Sequence, residues 1–317
     1  MLALATLVAA CGRPDPPPPP PLPAGCFAFG VFGDGPYRIW EVRRFNRVVA
    51  DVDRAGLACL LHVGDIFWYP CSDGSYQAQL NRMKAIRCPV VYTPGDNEWS
   101  DCFDRIAGSH QPLERLAHLR ATFFADPGRS LGANPISLRS QGEEPAFAEF
   151  VENARWVQGR FVFATIHIVG RESETVDFKG RSAADDEERA RRTAAALAWM
   201  EEAFRVARED SLSGVVLAMH ADPGLARRPG PRAGYEAFVD RLEDLTREFA
   251  RPVLLVHGDG HALAVDHPLH DRVTGEPLAN FTRLETFGSP DIGWVRVVVD
   301  SVAGRIVEIE PRPMRHW

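Results

Sequence analysis

The chain has 317 residues, 45% of them apolar and 25% charged, with a formal net charge of −7. That composition suits a globular protein with one large α/β domain or two small ones. The negative balance argues against bulk attraction to nucleic acid or anionic lipid, and no apolar run after the N-terminus approaches the ~20 residues that span a bilayer.

Residues 1–11 form an apolar stretch that closes on Val8-Ala9-Ala10-Cys11. This resembles the lipobox of bacterial lipoproteins, in which the cysteine becomes the lipidated first residue; the alternatives are plain secretion or neither. Gly12 after the cysteine, rather than Asp, resembles the type sent to the outer membrane. The expectation is a cell-envelope protein on the periplasmic side of that membrane, held there only through a lipid on Cys11. Residues 12–25 include an unbroken run from Pro16 to Pro21. Such a run adopts polyproline II and reads as a semi-rigid linker. The remaining residues, 26–317, read as the globular domain.

Residues 26–32 are aromatic and β-branched without helical period, and predict a strand ending in Gly33-Asp34-Gly35-Pro36. Apolar positions Ile39, Val42, Phe45, Val48, Val49 and Val52 then predict a helix over 37–56. A second strand over 57–63 ends in Gly64-Asp65, and a helix over 75–86 leads to a third strand at 88–92. That strand breaks into Thr93-Pro94-Gly95-Asp96-Asn97-Glu98-Trp99. Strand and helix alternating at this spacing signal βαβ units and a parallel sheet. The region 103–155 is less regular, with a helical piece near 112–125, and is expected to be a surface excursion. A strand follows at 161–169, then the clearest helix at 185–209. The strand at 214–219 runs into His220-Ala221-Asp222. A helix at 234–249 precedes the strand at 252–256, which ends in His257-Gly258-Asp259-Gly260-His261. Residues 281–288 and 293–310 predict antiparallel strands closing a second sheet.

Five strand ends thus carry Asp34, Asp65, Asp96 with Asn97, His220, and Asp259 with His261. Singly, each has an ordinary explanation, because Asp and Asn are common turn and helix-cap residues. Together, parallel strands would bring them to one edge, where α/β sheets bind ligands. Carboxylate and imidazole donors in such numbers suit divalent ions such as Mn, Fe, Zn or Mg. A carboxylate shared between two ions gives the arrangement used in phosphate-ester hydrolysis.

The ordered series resembles the calcineurin-like metallophosphoesterase superfamily, whose motifs run Asp-x-His, Gly-Asp-x-x-Asp, Gly-Asn-His-Asp/Glu, a lone His, and Gly-His-x-His. The resemblance covers about residues 26–300. It implies an α/β fold, a sandwich of two mixed β-sheets flanked by helices. It implies two divalent metal ions, one held by Asp34, Asp65 and His261, the other by Asp65, Asp96, His220 and Asp259. Asn97 would donate a hydrogen bond to a substrate phosphoryl oxygen. The implied activity is hydrolysis of a phosphate mono- or diester by a metal-bound hydroxide. Pro36 stands where the family has its first His, and Trp68 stands at the second Asp of Gly-Asp-x-x-Asp. Asp96 replaces the family's Asn, Asn97 its catalytic His, and Asp259 the first His of the last motif. These departures leave open an alternative, a catalytically degenerate binding or scaffold protein on the same fold.

Of the other residues, His257 reads as a strand-end histidine bonded to a neighbour, with a ligand role as the alternative, and His167 as structural. Trp68, Tyr69 and Trp99 crowd the Asp-bearing loops, either as packing or as an aromatic wall for a leaving group. The run Asp185 to Arg192 reads as a solvated helix face. Cys71 and Cys102 each lie six residues past a loop aspartate, Asp65 and Asp96. A bridge between them is the preferred pairing among Cys26, Cys59, Cys71, Cys88 and Cys102.

Overall fold

A computed structural model describes residues 16–170, 177–225 and 234–314; Cys11 and the lipobox lie outside them. Strand β1 (Cys26–Phe32) is the centre of a five-stranded sheet. It pairs in parallel with β2 (Leu60–His62), which pairs in parallel with β3 (Val90–Tyr92). On its other side β1 meets β11 (Gly293–Asp300), antiparallel, and β11 turns back into β12 (Arg305–Pro313). The second sheet has seven strands. In spatial order they are β4 (Arg139–Ser140), β5 (Ala154–Gln158), β6 (Phe161–Thr165), β7 (Gly214–Ala218), β8 (Val253–His257), β10 (Phe281–Glu285) and β9 (Ala264–Asp266). The strands from β6 through β8 to β10 are parallel, and β4, β5 and β9 are antiparallel to their neighbours. Both sheets are therefore mixed, as the resemblance implied.

The inner faces of the two sheets meet in a core that includes Phe29, Val31, Leu61, Val63, Phe163, Val216, Leu254, Val256, Val295 and Val297. Each such side chain contributes roughly 1.5–3 kcal/mol by leaving water. The outer face of the first sheet is covered by α1 (Val42–Val52), α2 (Asp73–Ala85) and α3 (Pro112–Phe123). The outer face of the second is covered by α4 (Ala183–Glu209) and α5 (Glu236–Phe249). Helix α2 starts where the Ser72 hydroxyl accepts from the Ser75 N–H at 3.2 Å. Helix α4 starts where the Asp185 carboxylate accepts from the Ser182 N–H at 2.8 Å.

Several sequence expectations change. The first helix is shorter than 37–56, because its opening turn is a loop in which Ile39 is 85% and Trp40 62% exposed. Strand β10 belongs to the second sheet but runs parallel to β8. The β11–β12 hairpin closes the first sheet, not the second, because its register matches β1 over Cys26 to Val31. Arg192 is buried rather than solvated, with its guanidinium 5.2 Å from the Trp99 ring centroid. The proline-rich segment also touches the domain. The Arg312 guanidinium donates to the Pro17 carbonyl, and Arg296 Nη2 donates to the Pro20 carbonyl at 3.2 Å.

Candidate metal centre

The chain leaves β1, β2, β3, β7 and β8 at the same edge of the sandwich, so the residues that follow them meet between the two sheets. After β1, β2 and β8 the backbone turns sharply. Asp34, Asp65, Asp259 and His261 have φ of 52°, 56°, 70° and 58°. Asp and His tolerate the left-handed region better than most residues, and held strain of this kind clusters at functional sites. Two glycines let the loops close. A Cβ on Gly95 would fall 2.2 Å from Asp65 Oδ1, and one on Gly258 would fall 2.1 Å from Asp34 Oδ2.

The six expected ligands are brought together. Donor atoms of Asp34, Asp65 and His220 all lie within 4.8 Å of one another, and so do those of Asp96, His220 and Asp259. His220 Nε2 is 3.2 Å from Asp96 Oδ1, 3.3 Å from Asp65 Oδ1 and 3.9 Å from Asp259 Oδ1. His261 Nε2 is 3.5 Å from Asp34 Oδ1. Asn97 lies in the same cluster, where its Nδ2 donates to Asp65 Oδ2 at 2.6 Å and its backbone N–H to Asp65 Oδ1 at 3.1 Å.

The histidines are oriented from behind. His220 Nδ1 donates to the Val63 carbonyl at 2.8 Å, and His261 Nδ1 donates to the Ser289 carbonyl at 2.7 Å. Both bonds place a proton on Nδ1 and aim Nε2 into the cluster, the outer-partner pattern typical of metal-binding histidines. The carboxylates are held the same way. Asp259 Oδ2 accepts from the Asp222 N–H, and Asp34 Oδ1 from the Asp259 N–H, both at 3.0 Å. Glu98, fully buried, ties two loops together. Its Oε1 accepts from the Tyr92 hydroxyl at 2.7 Å, the Gly95 N–H at 2.8 Å and the Asp65 N–H at 3.0 Å.

The charge balance fits cations. Burial pushes the Asp34 carboxyl up to about 8, against the pull of His220. Burial also raises Asp65 and Asp259 above the ordinary carboxylate range. At Asp96 burial is outweighed by the hydrogen bond and charge of His220, which hold it below that range. Burial disfavours a charged His220, yet the surrounding carboxylates raise it well above the usual imidazole range. Without metal, then, the cluster relies on retained protons. Asp34 Oδ2 is buried with no hydrogen-bond partner. A buried oxygen with no donor, among three more carboxylates and two aimed imidazoles, is the donor set that divalent ions satisfy.

The remaining candidates divide. His257 is buried, and its Nδ1 donates to the Gly258 carbonyl at 2.9 Å; burial lowers it to about 4. His167 is buried against Glu152 Oε1 at 2.7 Å. Trp99 is 1% exposed and packs on His167, so it cannot wall a substrate cleft. Trp68 is 37% exposed and makes edge contacts with Tyr37 and Tyr69. Cys71 and Cys102 are joined by a disulfide, as preferred, while Cys26, Cys59 and Cys88 are free. One site residue is new. The Tyr37 hydroxyl donates to Asp65 Oδ2 at 2.6 Å and lies 3.5 Å from His261 Nε2. The apparent helical period from residue 37 hid it; its position three residues after Asp34 was the available signal.

No protein-family model matches the sequence, and no curated protein does. The architecture, however, is shared with solved structures. PhoD superposes with a TM-score of 0.55 at 14% identity, over 90% of this chain and 66% of that chain. A phosphatase from Mycoplasma pneumoniae gives 0.47 at 8% identity, over 92% of this chain and 94% of that one. A 5′-nucleotidase from Candida albicans SC5314 gives 0.41 at 9%, over 90% and 48%. The two mixed sheets flanked by helices are the fold this chain shares with PhoD. The chain spans just under two thirds of the PhoD chain's length.

Proposed function

We propose that this protein is a metal-dependent phosphoesterase that hydrolyses a phosphate mono- or diester. The observation that carries the reading is the convergence of Asp34, Asp65, Asp96, His220 and Asp259, with His261 joined to them through Asp34 and both imidazole Nε2 atoms aimed inward. Asp34, Asp65 and His261 would hold one divalent ion, and Asp65, Asp96, His220 and Asp259 a second. Bound there, such ions acidify water and neutralise phosphoryl oxygens. The chain's own groups do the rest. Asp65 holds the two halves together, and the Val63 and Ser289 carbonyls keep the imidazoles in the ligating tautomer. Asn97 Nδ2 turns from Asp65 Oδ2 to a phosphoryl oxygen once the carboxylate is engaged. Trp68 offers an exposed ring beside the site for an apolar leaving group.

The Cys71–Cys102 bridge supports placing the protein in an oxidising compartment. That agrees with attachment to the cell envelope through a lipid on Cys11, on the periplasmic side of the outer membrane. A fatty-acid label that enters the wild-type chain and is lost in Cys11→Ala tests the anchor. The activity is tested by loading the protein with Mn, Fe, Zn or Mg and screening aryl phosphate mono- and diesters. Turnover lost in Asp65→Ala supports the proposal, and a loaded, folded protein without turnover overturns it. A second reading, a metal-binding protein without catalysis, draws on Asn97, an amide that cannot exchange a proton at the position of the family's histidine. It predicts bound metal with no hydrolysis under any of these conditions.

A further inference from the structure

We propose that Tyr37 is a ligand of the first metal, its phenolate oxygen taking the place left open by Pro36. The proposal rests on the metal-centre reading above and adds to it a residue outside the six expected ligands. Pro36 carries no donor, so that reading gives the first ion only Asp34, Asp65 and His261, against four residues for the second. The chain fills the gap one residue later. The Tyr37 hydroxyl stands 2.6 Å from Asp65 Oδ2 and 3.5 Å from His261 Nε2, while His261 Nε2 stands 3.5 Å from Asp34 Oδ1. Metal–oxygen and metal–nitrogen bonds of about 2.0–2.2 Å place neighbouring donors around one ion roughly 3 to 3.5 Å apart. The 3.5 Å separation from His261 Nε2 fits that spacing, and the 2.6 Å separation from Asp65 Oδ2 is that of the present hydrogen bond, which opens when the proton leaves.

Its position is built. Glu41 is fully buried, and its Oε2 accepts from the Tyr37 N–H at 2.8 Å and the Arg38 N–H at 3.2 Å. The other oxygen of Glu41 accepts from the Ser289 hydroxyl at 2.7 Å. The Ser289 carbonyl in turn orients His261 at 2.7 Å. One buried carboxylate thus registers the loop carrying Tyr37 against the loop carrying His261. The Tyr37 ring is further seated at 5.0 Å from Trp68 and 5.5 Å from His261, centroid to centroid. A tyrosine whose only task was to bond Asp65 would not need to share a positioning relay with a ligand histidine.

On binding, the O–H bond of Tyr37 breaks, the oxygen lone pair forms the metal bond and the proton leaves to solvent. Two carboxylates, a phenolate and one imidazole make an oxygen-rich set, which favours hard cations over soft ones.

The test uses the full chain, with ferric iron as the probe. Wild type is expected to bind iron and show a visible phenolate-to-iron charge-transfer band, with a tyrosinate difference spectrum when zinc is bound instead. Tyr37→Phe should lose both signals and weaken the first equivalent of metal about tenfold or more, at least as much as loss of an outer-shell partner costs. Tyr37→His, which restores a nitrogen donor, should recover the affinity without the band and shows that the loop still folds. Iron-loaded wild type with no band, or a band that persists in Tyr37→Phe, overturns the proposal and leaves the metal centre standing. A folded wild type that binds no metal overturns both, and metal analysis separates that case from the first.

Discussion

Glu98 offers the most direct test of how the site is held together. Its Oε1 alone accepts from the Tyr92 hydroxyl, the Gly95 N–H and the Asp65 N–H at 2.7, 2.8 and 3.0 Å, and the side chain is fully buried. Two of those donors belong to the loops that carry Asp65 and Asp96, so the carboxylate fixes the β2 and β3 loop ends to each other. Glu98→Ala leaves three buried donors without a partner, each costing about 1–3 kcal/mol. Allowing for non-additivity and for a water entering the space, the expected loss is roughly 3–5 kcal/mol. Glu98→Gln keeps an acceptor but removes the charge. Its amide nitrogen is a poorer fit to three donors, so about 1–3 kcal/mol is expected. Denaturant unfolding of the metal-free protein reads both values, and metal titration reads the consequence for the site. On the proposed two-ion site, Glu98→Ala should weaken both ions together, because Asp65 is assigned to both. A loss below about 1 kcal/mol for Glu98→Ala, with unchanged metal affinity, would refute the role of this carboxylate.

Two further outcomes follow from the structure. The folded metal-free chain holds a proton on Asp34, raised by burial to about 8, and on His220, raised by its carboxylate neighbours. Both groups bind more protons folded than unfolded, so the share of metal-free stability that they supply is present in acid and is lost as pH rises through their raised folded values, against the opposite pull of the buried neutral His62 and His257. Asp34, with its folded value near 8, contributes on the order of a few kcal/mol between pH 5 and pH 8. Bound metal replaces those protons, so the loaded protein should gain stability over the same interval; thermal melts with and without chelator at the two pH values check the reversal. Separately, a chain beginning at Gly25 loses the acceptors that Pro17 and Pro20 give to Arg312 and Arg296. It should be less stable by about 1–3 kcal/mol, and an unchanged unfolding midpoint would mean that the proline-rich segment hangs free.

The strand ends were legible in the sequence because parallel strands buried on both sides read as short apolar runs, and the polar residue that ends each run is conspicuous. Asp34, Asp65, Asp96, His220 and Asp259 could be listed in order for that reason. Tyr37 was not legible, because Ile39 happens to fall in phase with Val42, Phe45 and Val49, and periodicity cannot see that Ile39 is 85% exposed. The membership of β11 and β12 was misread because pairing partners far apart in sequence leave no local mark: Cys26 pairs with Asp300. Glu98 appeared only as the end of a motif. Its role as the acceptor for three donors on neighbouring segments depends on a fold that no local pattern encodes. The Cys71–Cys102 pairing was legible because each cysteine follows an Asp-bearing loop by the same interval, and those loops become neighbours.

Asp65 is proposed to be shared between two bound ions. Metal analysis of the loaded wild-type chain beside Asp65→Ala tests it most directly, with circular dichroism to establish that both are folded. About two ions per wild-type chain are expected, with both lost in the variant. A folded wild type that binds none, or an Asp65→Ala chain that keeps its full complement, would contradict it.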